Sequence, residues 1–212
     1  MRNCVKFSRL YKKPITAMQI LNQIASIELG FQLRSQVIQS PESKELLIQM
    51  KDVSKTNGVN WKTCVPTQLP GKKMPQWLCD GDVIVVARGF NFFAAHIQDI
   101  PQGFQAVAAP AFFVLSKINA QILPEYLTWW LNQVPTQRYF EKSAEGAISK
   151  SLKRTALENT SVIIPPMNQQ EHIVSLARLF REEYRLLEQM RTNTAQMQNA
   201  LVNQLIQFNP NN

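Results

Sequence analysis

Short apolar segments separated by polar, glycine- and proline-containing turns fill the first three quarters of the chain. Uninterrupted apolar runs of this length are typical of interior strands. We predict strands at 46–50, 83–86, 92–97, 105–115 and 160–166. Asn57-Gly58 is a strong hairpin signal, and Pro124 opens a helical pattern that runs to residue 134. The pattern predicts a mixed α+β domain over residues 1–165.

The last fifth of the chain has a different pattern. Asn168 and Glu171 form a capping signal, and no proline or glycine follows as far as Phe208. Apolar residues recur there every seven positions, which predicts a coiled-coil-forming helix over residues 166–212. Such a helix spans roughly 60 Å, so we expect it to need a partner helix, although it could also fold back on its own domain. The apolar stripe predicted as a dimer or subunit interface is Ile173, Leu176, Phe180, Tyr184, Leu187, Met190, Met197, Leu201, Leu205 and Phe208.

The net charge of +8 is confined to the first part of the chain. Residues 169–212 hold four arginines and four glutamates, which leaves 19 Lys/Arg against 11 Asp/Glu in residues 1–168. A basic globular part and a neutral tail indicate that the first contacts a polyanion and the second contacts protein. Charge alone leaves DNA, RNA and an anionic membrane open.

Composition indicates an ordinary globular protein. Hydrophobic residues make up 45%, and no long apolar window predicts a membrane helix. The basic N-terminus lacks the apolar core of a secretory signal. The three cysteines have no Cys-x-x-Cys spacing, so we expect free thiols and a cytoplasmic location.

Asp80 and Asp82 in "LCDGDVIVVARG" raise the question of a metal site. A divalent ion needs further oxygen ligands, whereas the next residues are apolar strand formers. A turn that leads into a buried strand explains more of the stretch. We therefore predict no catalytic and no metal-binding residue. A nuclease that uses Glu42 and Lys44 is a weaker alternative.

Basic and amide side chains recur in the predicted loops, interleaved with aromatic residues such as Trp61 and Phe92. Lysine and arginine neutralise phosphates, and arginine and asparagine also bind base edges. The predicted DNA-binding residues are Arg34, Lys55, Asn57, Asn60, Lys62, Lys72, Lys73, Arg88, Asn91, Lys150, Lys153 and Arg154.

Five segments in order resemble the specificity (S) subunits of type I restriction-modification enzymes. They are "QIASIELGFQLRS", "LIQMKDV", "LCDGDVIVV", "ILPEYLTWWLN" and "EGAISKSLKRTALENTSVIIPPMNQQEHI". The resemblance covers nearly the whole chain from about residue 20. The adjacent Pro165 and Pro166 depart from the family pattern, as does Asn22 where glycine is common.

The resemblance implies a target-recognition domain for duplex DNA followed by a long helix. Family S subunits usually have two such domains with antiparallel helices, so this chain corresponds either to a half-size subunit that forms a homodimer or to one excised half. The implied partners are an adenine methyltransferase and a restriction translocase, which alone would bind S-adenosylmethionine and Mg-ATP. An RNA-binding or general basic nucleic-acid adaptor is the alternative from another class.

Overall fold

A computed structural model describes residues 18–32, 38–70, 75–146 and 149–207. The strands are β1 (Met18–Ile20), β2 (Ser26–Leu29), β3 (Ile38–Gln39), β4 (Glu45–Ile48), β5 (Val53–Ser54), β6 (Gly58–Val59), β7 (Thr67–Gln68), β8 (Val83–Val86), β9 (Ala94–His96), β10 (Gln105–Ala108), β11 (Phe112–Ser116) and β12 (Ser161–Ile163). The helices are α1 (Leu21–Ile24), α2 (Pro124–Leu131), α3 (Val134–Ser143), α4 (Arg154–Glu158) and α5 (Met167–Gln207), with a 3-10 turn at Met50–Asp52. The predicted α+β fold with a long C-terminal helix is confirmed.

The centre of the first part is a four-stranded antiparallel sheet in the order β2-β11-β8-β9. Successive side chains of a strand point to opposite faces. Ile84 and Val86 of β8 join a core cluster with the parallel pair β4–β10, while Val83 and Val85 lie on the other face, where α2 packs. Both faces are therefore covered, which explains why the apolar run of β8 does not alternate with polar residues.

The smaller strand pairs flank this sheet. β1 pairs with β12, β3 with β7, and β5 with β6, all antiparallel. The β5–β6 pair is the hairpin predicted at Asn57-Gly58, where Gly58 adopts a φ of 67° that glycine tolerates best.

Asp80 and Asp82 organise backbone before β8. The Cys79 amide donates to Asp82 Oδ2 at 2.9 Å, and the Ile100 amide donates to Asp80 Oδ1 at 3.3 Å. Gly81 has a φ of 97°, and its amide donates to the Ile97 carbonyl. Burial raises the pKa of Asp82, while the bond from Cys79 acts in the opposite direction. The turn predicted from the sequence is present.

The predicted helix over residues 124–134 ends early, because Pro135 has no amide hydrogen to donate to the Leu131 carbonyl. The Gln137 side chain supplies that missing donor, with its Nε2 2.7 Å from the Leu131 oxygen. A second helix, α3, follows, which the sequence pattern had not indicated. Asn132 joins the end of α2 to β9, accepting a bond from the Ala94 amide and donating one to the Ala94 carbonyl.

Helix α5 begins at Met167, so Asn168 lies in its first turn and is not the cap that the sequence suggested. Gln170 in this turn is fully buried. Its Oε1 accepts a bond from the Leu123 amide at 2.9 Å, and its Nε2 donates to the carbonyls of Gln121 and Pro165, each at 2.8 Å. The side chain thus satisfies three backbone groups from the two segments that precede α2 and α5.

The chain divides into two compact units, residues 1–171 and 172–212. The second unit is helical as far as Gln207, and most of its large apolar side chains are exposed. Among the described residues, no helix is long and apolar enough to cross a membrane.

Replacing Gln170 by leucine should lower the free energy of unfolding by at least about 2 kcal/mol, because three buried backbone groups lose their partner. Gln169→Leu, one position earlier and only half-buried, is the matched control and should change it by less than about 0.5 kcal/mol. Urea unfolding followed by circular dichroism measures both. Equal stability of the two variants would contradict the role given to Gln170.

Candidate nucleic-acid interface

The loop that follows β8 presents three exposed side chains, Arg88, Phe90 and Asn91. Arg88 forms a β-bridge with Ser151, and the Gly89 amide donates to the Lys150 carbonyl at 2.9 Å. Gly89 has a φ of 139°, in the region that favours glycine. The strand therefore ends in a turn held against the segment around residue 150.

The segment from Lys150 to Arg154 brings further basic residues to the same place. The Leu152 amide donates to the Ala87 carbonyl at 2.8 Å, and the Leu152 side chain is buried. The exposed neighbours of Leu152 are thereby held beside the 88–91 loop. We call the exposed side chains of Arg88, Phe90, Asn91, Lys150, Lys153 and Arg154 the Arg88 surface.

The cations of this surface differ in their ion pairs. Lys153 Nζ lies 2.6 Å from Glu145 Oε1, and Arg154 Nε lies 2.7 Å from Glu158 Oε1. Such exposed pairs contribute little stability, but they compensate positive charge locally. In the parts of the chain that the structure describes, Arg88 and Lys150 form no salt bridge. These two cations are the ones best placed to meet an external anion.

The β5–β6 hairpin carries a second group of predicted residues, all exposed: Lys55, Asn57, Asn60 and Lys62. Asn60 Oδ1 already accepts a bond from the Lys62 amide at 3.2 Å, so part of its hydrogen-bonding capacity holds the turn. The neighbouring Trp61 Nε1 donates to the Gln98 carbonyl at 2.9 Å, which fixes the hairpin to the end of β9.

The two groups are attached at opposite ends of the β8–β9 ladder. The Ile97 amide, next to Gln98, donates to the Asp82 carbonyl, six residues before Arg88. At about 3.3 Å per strand residue, the two ends are roughly 20 Å apart. The structure thus gathers Arg88, Asn91 and the 150–154 cations and keeps the hairpin group separate. The predicted contacts Arg34, Lys72 and Lys73 lie outside the described residues, as does Phe208 of the apolar stripe.

The aromatic residue of this loop is Phe90, whereas the sequence analysis had named Phe92. Phe92 is 1% exposed and belongs to the core, while Phe90 is 79% exposed. Strand alternation could not have separated the two rings, because residues 90 and 92 would share one face of a strand. The turn at Gly89 is what places them in different surroundings.

A cavity of about 140 Å³ lies between the β3–β7 pair and the segment from β4 to the 3-10 turn. Its lining consists of Gln39, Leu47, Gln49, Lys51, Asp52, Val65 and Thr67. Asp52 is buried, and its Oδ2 accepts a bond from the Gln49 amide at 2.9 Å. Its Oδ1 has no hydrogen-bond partner among the residues that the structure describes. Cys64 is no candidate nucleophile, because burial, with Asp52 adding a smaller effect, raises the pKa of its thiol to about 12.

Glu42 and Lys44, the nuclease alternative, are exposed side chains at the turn before β4. Within the described ranges, no three His, Cys, Asp or Glu side chains are grouped so as to hold a metal ion. The geometry gives this alternative no support.

No family model and no curated protein matches the sequence. Solved structures with the same fold include a chain from work on complex assembly and conformational transition of the type I R-M system. Its TM-score is 0.62 at 15% identity, over 92% of this chain and 45% of that one. The S subunit of a type I restriction-modification system from M. genitalium has a TM-score of 0.55 at 11% identity, over 92% and 46%. The HsdS subunit from Thermoanaerobacter tengcongensis has a TM-score of 0.60 at 12% identity, over 87% and 42%.

This chain therefore has the fold of type I specificity subunits, as its motifs predicted. It spans less than half the length of the structures that it matches.

Removing the two unpaired cations with Arg88→Gln/Lys150→Gln should weaken binding to duplex DNA and lower the slope of log K against log salt by up to about 2, since each lost phosphate contact contributes about 0.9. Lys44→Gln/Lys117→Gln removes the same charge from exposed positions elsewhere and should lower the slope much less. Fluorescence anisotropy at several salt concentrations measures both. The same slope in the two double variants would argue against a localised phosphate contact.

Proposed function

We propose that this protein is the DNA-recognition subunit of a type I restriction-modification system and recognises one half-site of a bipartite duplex target. The observation that carries the proposal is the Arg88 surface, a cluster of exposed cationic, amide and aromatic side chains on a specificity-subunit fold. Phosphate contacts from the cations would position the duplex, and Asn91 and Arg88 would be within reach of base edges.

The distribution of charge supports a nucleic-acid partner for the first unit. The excess of eight positive charges lies in residues 1–168, and the predicted contacts of the hairpin stand roughly 20 Å from the Arg88 surface along the sheet. That distance corresponds to about six base pairs of duplex, at 3.4 Å each. In the proposal, both basic groups contact phosphates of the same half-site.

Chemistry is assigned to partner subunits. In the proposal, an adenine methyltransferase supplies S-adenosylmethionine chemistry and a restriction subunit supplies Mg-ATP-driven translocation and cleavage, while this chain binds neither cofactor. We place the assembly in the cytoplasm. The role of this chain is to hold the duplex in register for the enzymes that act on it.

The apolar stripe of α5 supports assembly through the helix. Leu176, Phe180 and Leu187 are each more than half exposed, and so are Met190, Met197, Leu201 and Leu205 further along. Leu179 and Leu186, which the heptad pattern did not include, are exposed as well and widen the stripe. Apolar side chains at this spacing are stabilised by a second helix packed against them.

We infer that the second helix comes from another copy of the chain, packed antiparallel. Two copies would then present two recognition surfaces related by a two-fold axis, as a bipartite target requires.

The wild-type protein should sediment as a dimer at micromolar concentration, and Leu187→Asp/Leu201→Asp should sediment as a monomer, because two buried charges per helix oppose packing. Gln189→Asp/Asn203→Asp, on the polar side of the same helix, is the matched control and should stay dimeric. A wild-type monomer, or a dimer in both variants, would remove the helix interface from the proposal.

Duplex DNA should compete with a labelled duplex at least about 10-fold more strongly than a double-stranded RNA of the same length. The deep, narrow major groove of RNA is closed to side chains, so loop contacts to base edges are lost. Competition anisotropy at fixed salt measures the ratio. Equal competition would favour the alternative of a general nucleic-acid adaptor.

A further inference from the structure

The side chain of Phe90 has no packing role that explains it. It is 79% exposed, whereas its neighbour Phe92 is 1% exposed. A single exposed aromatic residue is ordinary by itself. What sets Phe90 apart is that the loop beneath it is held rigidly and that its exposed neighbours are polar or cationic.

Four hydrogen bonds hold the ends of this loop. On its first side, the Ala87 amide donates to the Ala111 carbonyl at 2.7 Å and the Gly89 amide to the Lys150 carbonyl at 2.9 Å. On its second side, Gln137 Nε2 donates to the Phe92 carbonyl at 3.0 Å, and the Val86 amide donates to the Phe93 carbonyl at the same distance. Only four residues, 88–91, connect the buried Ala87 to the buried Phe92. So short a connection leaves the Phe90 ring projecting and unable to fold back into the core.

The residues around the Phe90 ring favour a polyanion over a protein as the binding partner. Arg88 and Asn91 flank it in the loop, and Lys150 is held next to it by the bond from Gly89; all three are exposed. An apolar ring among unpaired cations suits duplex DNA, where phosphates meet the cations and bases meet the ring. A protein interface is typically depleted of charge at its centre.

We propose that Phe90 is a wedge that enters the base stack of the bound duplex and contributes to sequence discrimination. This inference rests on the proposed function. Apolar side chains inserted between base pairs unstack them and kink the duplex, and pyrimidine–purine steps yield most easily. At the base step that Phe90 enters, the protein would therefore prefer a flexible DNA sequence, without a hydrogen bond to either base pair.

The probe for the test is a 40-bp duplex that the full-length wild-type protein enriches from a library with a random 20-bp centre. Single adenines of the enriched duplex are replaced by 2-aminopurine, whose fluorescence rises when its base is unstacked. The wild-type protein should raise the signal at one or two adjacent positions. Phe90→Ala should abolish that rise and bind about 10-fold or more weakly, in the range of lost aromatic–base stacking, with an unchanged salt slope.

Phe90→Trp is the conservative variant and should retain the fluorescence rise. Arg88→Gln is the contrasting variant; it should lower the salt slope while retaining the rise. Because Phe90 is exposed, its alanine variant should have the same melting temperature as the wild type. If it does not, the test is repeated with Phe90→Gln, which keeps more of the side-chain volume but is polar.

The outcomes separate the two proposals. If the wild type enriches and binds a duplex but Phe90→Ala matches it in affinity and fluorescence, the wedge is overturned and the proposed function stands. If the wild type enriches no duplex and binds none at low salt, the proposed function itself fails.

Discussion

The fold depends on one buried side chain, Gln170. With no access to water, its amide must find protein partners, and it finds the backbone groups of Gln121, Leu123 and Pro165. The turn before α2 and the end of the segment after β12 are thereby tied to the first turn of α5. No apolar residue could replace it, because three backbone groups would lose their partner in the interior.

Helix α2 connects this constraint to the 88–91 loop. Tyr126 Oη and Trp130 Nε1 donate to the carbonyls of Ile163 and Ser161, which joins α2 to β12. At the other end of α2, the Asn132 side chain bonds both backbone groups of Ala94. Gln137 in α3 then donates to the Phe92 carbonyl. A chain of polar side chains bonded to backbone thus runs from the start of α5 to the base of the 88–91 loop. The residues that position this loop are therefore uncharged polar side chains bonded to backbone, and none of them belongs to the Arg88 surface.

The two units bury their apolar surface in different ways. Residues 1–171 cover both faces of the central sheet with β4–β10 on one side and α2 on the other. Residues 172–207 form a lone helix whose apolar side chains remain largely exposed. The first unit has a core of its own, whereas the second exposes an apolar stripe that its own residues do not cover. This difference underlies the division of labour that we propose, with recognition in one unit and assembly in the other.

Local pattern was sufficient to predict much of the fold. The runs at 83–86 and 105–115, the Asn57-Gly58 hairpin and the seven-residue repeat after Asn168 each correspond to an element of the structure, since strand length, turn chemistry and helical period act over a few residues. The break between α2 and α3 was missed, although Pro135 is visible in the sequence, because the apolar pattern continues through it.

The sequence by itself determined the element types, the segregation of charge into the first unit and the stripe on the helix, because these follow from composition and short-range spacing. Tertiary structure alone decided which basic residues meet. Arg88 and Lys150 are 62 positions apart in the chain and become neighbours through the backbone contacts between residues 87–89 and 150–152. It also decided that Phe92 enters the core while Phe90 points outward. Both outcomes depend on partners distant in sequence, Lys150 for Gly89 and Gln137 for Phe92, and no local pattern records such a partner.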